Sequence, residues 1–192
     1  MRKYICFTII LFLYLTGCSP LTMVPVTLKE VKDYVAGQTE SFSYPIDQVL
    51  SSAIMVLKKT GFEIRIIQHF NDKGLIEAQW KDTKAIFTLN QVTPLLTKVV
   101  SKVQSEGNSR EHSSEKELFE QTKKILEDGQ TIGWKKLAEG MVPVLHEFEN
   151  DSPVLGYLGN GTTIKISKVN ETWGTISLLD GVKGYVLLKY LQ

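Results

Sequence analysis

Few residue types in this chain could make or break a bond, and their spacing decides which are credible. Its three histidines, His69, His112 and His146, stand far apart, and none has a second metal ligand two to four residues away. Serines are plentiful, but no G-x-S-x-G elbow occurs among them. "GNGT", Gly159 to Thr162, has neither the lysine nor the helix context of a phosphate loop. Glu147, Glu149 and Asp151 form an acidic cluster, which reads first as solvated surface and second as a cation or peptide site. The two cysteines, Cys6 and Cys18, are the remaining candidates, and both lie near the start.

Cys18 stands where an apolar run stops. Met1-Arg2-Lys3 is a short positive region, and Ile5 to Leu15 is apolar apart from Thr8. That run reaches roughly 16 Å at about 1.5 Å per residue, well short of a ~30 Å hydrocarbon core. A charged start, a short apolar middle and small residues behind it describe a secretory signal peptide. Leu15-Thr16-Gly17-Cys18 resembles the lipobox of bacterial lipoproteins. The resemblance implies lipid transfer to the Cys18 thiol and cleavage between Gly17 and Cys18, followed by acylation of the new amino terminus. Two or three acyl chains would anchor the protein permanently, since each buried methylene adds ~0.8 kcal/mol. It also implies that Cys18, the one mature cysteine, is unavailable for catalysis or an internal disulfide. Ser19, rather than aspartate, follows it, which favours the outer membrane facing the periplasm. Bacterial export also deprives the acceptor-like Asn160-Gly161-Thr162 and Asn170-Glu171-Thr172 of meaning as glycosylation sites.

The 192 residues carry a formal charge of +1, and losing Arg2 and Lys3 turns that slightly negative. Without a basic surplus, nucleic acid is a poor partner. No later apolar run is long enough to span a membrane. The expected organisation is a signal peptide over 1–17, a lipidated tether over 18–33, an α+β domain over 34–129, a linker over 130–140 and a second domain over 141–192.

The elements that must position any site follow from periodicity. Gly37 to Pro45 alternates as an exposed strand. Ile46, Val49, Leu50, Ala53, Ile54 and Leu57 mark one helical face, with Gly61 as C-terminal cap. Alternation at Phe62–Ile66, Ile76–Trp80 and Ala85–Leu89, then "LTKVVSKVQ", predicts strands separated by turns at Asn71–Gly74 and Lys81–Thr83. A second helix is expected near Ser114, with Ser114 and Glu117 spaced as a capping box; Leu118, Phe119, Thr122, Ile125 and Leu126 share its face. This order predicts two helices packed on an antiparallel sheet. "YVAGQTESFSYPIDQVLSSAIMVLKKTGFEI" and "TKAIFTLNQVTPLLTKVVSKV" resemble a family of small bacterial lipoprotein domains of uncharacterised function. "SKVQSEGNSREHSSE" departs from the glycines and arginine that family carries at its last strand, and the resemblance implies no catalytic residues.

From Met141 the texture changes to short strands with turns every eight to twelve residues, an all-β pattern. Ile164 and Ile166 alternate with Lys165 and Ser167. Gly161-Thr162, Trp173 with Ile176, Asp180-Gly181, Gly184-Tyr185-Val186 and Tyr190-Leu191 resemble bacterial SH3-like domains. That resemblance implies a small barrel with aromatic residues between its loops, and Tyr157, Trp173, Tyr185 and Tyr190 are the candidate ligand contacts. Buried aromatics are also how so small a barrel stays folded, most plausibly for Trp173 and Tyr190. The expectation is a non-enzymatic envelope lipoprotein without metal or cofactor. Its barrel recognises a peptide or cell-wall component such as peptidoglycan. The alternative is a structural scaffold or accessory subunit of an envelope protein assembly.

Overall fold

Alternating residues from Glu63 onward become a run of antiparallel hairpins in the computed structural model, which describes residues 37–105, 109–130 and 132–190. The signal segment, Gly17, Cys18 and the tether lie outside the described residues. Strands β2 (Glu63–Phe70), β3 (Lys73–Trp80), β4 (Thr83–Thr93) and β5 (Leu96–Gln104) pair in sequence, each antiparallel to the last. Two of the three two-residue connections turn at Asn71 and Lys81, which adopt φ of 54° and 50°. β1 (Gln38–Phe42) returns to the outside of β5, in register from Gln38 opposite Ser101 to Phe42 opposite Thr97.

Helix α1 (Ile46–Lys59) forms where the sequence repeats apolar residues at three and four. Its Val49, Leu50, Ala53, Ile54 and Leu57 are all buried. Gly61 closes it at φ +88°, and the Phe62 N–H donates to the Leu57 carbonyl at 2.9 Å. Helix α2 (His112–Glu127) sends Leu118, Phe119, Ile125 and Leu126 into the same core. There Phe119 meets Phe87 edge-on and Phe42 at a tilt, with ring centroids 6.0 Å apart in both pairs.

The expected capping box is not formed. α2 begins two residues early, Glu111 precedes it without a side-chain cap, and Ser114 lies within its first turn. The sheet decides this start. Arg110 bridges Gln104, and the Glu111 N–H donates to the Val103 carbonyl at 3.0 Å, so the chain leaves the edge of β5 already committed to the helix. Glu115, wholly buried, then accepts bonds from the Val103 N–H at 2.9 Å and from Arg110 Nε at 2.8 Å and Nη2 at 2.6 Å.

The short helix α3 (Trp134–Leu137) leads into β6 (Val142–Leu145), β7 (Val154–Leu158), β8 (Ser167–Lys168), β9 (Trp173–Ser177) and β10 (Lys183–Leu187). β7 pairs antiparallel with β2 through Ile66–Leu158, Ile67–Tyr157 and Gln68–Gly156, so all ten strands form one sheet in the order β1-β5-β4-β3-β2-β7-β6-β10-β9-β8. The described body is α+β, with a large antiparallel sheet and few helices. β2 is the shared strand. Ile64 and Ile67 join the core under α1 and α2, while Ile66 and Phe70 pack against a smaller core of Val144, Leu155, Leu158, Ile176, Leu178 and Val186. Ile164 and Ile166 pack on that second core from outside any strand; only Ser167 and Lys168 enter a ladder there.

Candidate functional site

The surface between β6 and β7 is built by a loop that hydrogen-bonds to itself. The His146 N–H donates to the Pro153 carbonyl at 2.9 Å, the Glu147 N–H to the Ser152 hydroxyl at 2.8 Å, and the Ser152 N–H to the Glu149 carbonyl at 3.2 Å. These bonds close the loop base and hold its carboxylates outward. Glu147, Glu149 and Asp151 are all exposed, and His146 Nδ1 lies 3.7 Å from the Glu147 carboxylate. Between two of these acids stands Phe148, 54% exposed. Its ring meets Tyr185 edge-on at 5.5 Å and 68°. Tyr185 is held from the opposite side of the loop, where β10 pairs it with Leu145 of β6 and Thr175 of β9.

An exposed phenylalanine packed on a half-buried tyrosine, on a loop with three exposed carboxylates, offers apolar contact, aromatic surface and negative charge, which together suit a chain with apolar and cationic groups. It contains no nucleophile paired with a base. Among the described residues no group of three or more histidines, cysteines, aspartates or glutamates could hold a metal ion. No helix among them is long and apolar enough to cross a membrane.

The structure separates the four aromatic residues picked from the sequence. Tyr185 joins the loop just described. Trp173 is 8% exposed, a core position. Tyr157 is half-buried, with its ring edge-on to Trp134 at 5.8 Å, and burial pushes its phenol pKa up. Tyr190 is half-exposed beneath the Lys189 ammonium, and lines a separate cleft of about 260 Å³ with Leu158, Ile164 and Ile166. The three histidines lie on β2, at the start of α2 and in the β6–β7 loop.

Phe148 was missed in the sequence reading. Its signal is an aromatic residue between two glutamates and directly ahead of Asn150, Asp151, Ser152 and Pro153, a turn composition that places the ring on a loop. Also missed was the junction cluster. His69 packs on Trp134 at 5.3 Å, with Asp47 3.7 Å from its Nε2. Burial pulls the His69 pKa down, Asp47 opposes that, and Lys135 adds to it. Comparison with protein-family models and with curated proteins finds no match to this chain.

Proposed function

We propose that the protein is a lipid-anchored envelope lipoprotein acting as a non-catalytic binding module. On this reading Cys18 carries the acyl chains, and Ser19 directs the product to the outer membrane, facing the periplasm. Residues 34–129 form a lipoprotein domain of two helices on a sheet, and residues 141–192 an SH3-like barrel that recognises a peptide or wall component. The observation that carries the binding function is exposed Phe148, in the loop of Glu147, Glu149 and Asp151, packed against half-buried Tyr185 of β10. The test is retention of the full-length protein on purified sacculi or on an immobilised lysine-rich wall peptide. Phe148→Ala combined with Tyr185→Ala should reduce retention roughly tenfold, in line with loss of an aromatic anchor. Equal retention of both proteins would overturn the proposal.

A scaffold role is the second reading, favoured by the β2–β7 ladder. Gly156 and Gly159 lie so close to β2 that a Cβ would come within 2.2 Å and 2.1 Å of the Ile67 and Ile64 carbonyl oxygens. Such a seam suits a barrel that braces its neighbour. If this role is the true one, crosslinking in intact cells should capture the same partner protein with wild type and with the Phe148/Tyr185 variant.

A further inference from the structure

A second concave surface lies on other elements, where the β3–β4 turn faces the first turns of α2. It encloses about 640 Å³, within the range of ligand-sized clefts. Phe62 and Trp80 form its aromatic wall, their ring centroids 6.4 Å apart and tilted by 46°. Val103 and Leu118, both buried, supply an aliphatic floor, and Glu111 and Glu117 of the α2 start supply carboxylates. Trp80 is 46% exposed although it ends the strand that carries fully buried Ile76.

Charge decides what fits. Among the described residues no lysine, arginine or histidine lines the groove. Glu111 accepts only from the Ser105 hydroxyl and Glu117 only from the Gln121 amide, so among the described residues neither has an ion-pair partner. The Lys81 ammonium, at 4.9 Å from the Trp80 ring, shows that this indole already receives a cation. Thr83, Ser113 and Ser114 add hydroxyl-bearing residues to the lining, while the Thr60 hydroxyl donates back to the Val56 and Leu57 carbonyls. An apolar floor, a hydroxyl rim and unpaired carboxylates match an extended peptide whose backbone the hydroxyls can bond.

We propose that this groove binds a peptide segment presenting a lysine or arginine beside an apolar side chain. The apolar side chain seats against Phe62 and Trp80, and the cation faces Glu111 and Glu117. The proposal is independent of the Phe148 loop, which belongs to β6, β7 and β10.

The probe is a capped octapeptide of alternating leucine and lysine, with its leucine–glutamate counterpart as control, added to the full-length protein in detergent. Trp134 and Trp173 are 6% and 8% exposed, so acrylamide quenches chiefly Trp80, and Trp80→Phe verifies that assignment. The lysine peptide should shield the indole, and the glutamate peptide should not. Glu111→Gln with Glu117→Gln should weaken the lysine peptide roughly tenfold, the scale of two exposed charge contacts. Lys81→Gln should tighten it roughly two- to fivefold by freeing the ring face, an effect no loss of structure would mimic. Phe148→Ala should leave it unchanged, which separates this site from the barrel loop. Absent shielding, equal shielding by the glutamate peptide, or loss on Phe148→Ala alone would overturn the proposal.

Discussion

Two polar loops, the segment that enters α2 and the loop between β6 and β7, treat their charges in opposite ways. In the first, Glu115 is wholly buried and Arg110 is 3% exposed, and the carboxylate takes two bonds from the guanidinium and one from the Val103 N–H. In the second, three carboxylates stand in solvent around a half-exposed phenylalanine. A buried charge is tolerable only with an opposite charge and further hydrogen bonds around it. The α2 entrance has both, because β5 runs past the end of its pairing with β1, and Arg110 and Glu111 settle on its last residues. The β6–β7 loop sets an exposed His146 imidazole beside Glu147 but buries no carboxylate, so its charge remains at the surface. One loop fixes structure; the other leaves its charge in solvent, where the proposed recognition would use it.

The contrast is broken most severely from the buried side. Arg110→Met should destabilise the protein by about 3–5 kcal/mol, because it leaves the Glu115 carboxylate buried without its cation. Arg110→Met combined with Glu115→Leu should recover much of that loss, since a matched apolar pair avoids the desolvation cost. Denaturant titration of the single and double variants checks both. Equal losses would mean that Glu115 acts mainly as the acceptor for Val103.

The next effect tests the seam that joins the halves. Gly156→Ala would set a Cβ about where the Ile67 carbonyl oxygen lies, 2.2 Å from its centre, and the β2–β7 ladder must shift to admit it. A loss of about 1–3 kcal/mol is expected, the range for overpacking. Gly129→Ala is the comparison: it meets nothing within 4 Å, so only its φ of +66° opposes the change, at about 1 kcal/mol.

His69 gives a smaller, pH-dependent effect at the same seam. Its folded pKa is lowered, chiefly by burial, so the unfolded chain binds the proton more readily. The neutral ring therefore contributes stability that is fully present above the ordinary histidine pKa of about 6.5, and is lost as pH falls from there toward the lowered folded value. Melting temperature should decline over that window in the wild type and decline less in His69→Gln. Parallel profiles would show that other groups control the acid response.

Much of the body was legible because apolar periodicity reports burial directly. The face of α1, the Gly61 cap and the β2–β5 hairpins appear where the pattern puts them. What escaped depends on contacts distant in sequence. The start of α2 is set by β5 rather than by Ser114, and nothing near Ser114 records that. The change of texture at Met141 reads as a boundary, yet β7 adds its strand to β2, and the Tyr157 ring stands edge-on to Trp134. Identical residue types served unlike ends: of four chosen aromatics, only Tyr185 stands with the acidic loop, and its partner Phe148 is close to it only through the β6–β10 pairing.

The smallest expected effect is the one that most sharpens the contrast. Replacing Glu147, Glu149 and Asp151 together by Gln, Gln and Asn should change stability by no more than about 0.5 kcal/mol, because exposed side chains exchange one hydrated group for another. The loop's own bonds use backbone groups and Ser152, so its shape survives the neutralisation. Retention on a basic wall peptide, by contrast, should fall, and the share of it that depends on salt should shrink, because the loop then has no carboxylate left to screen. If denaturant titration showed a loss comparable to that of Arg110→Met, the carboxylates would be structural after all, and the division between a loop that builds and a loop that binds would fail.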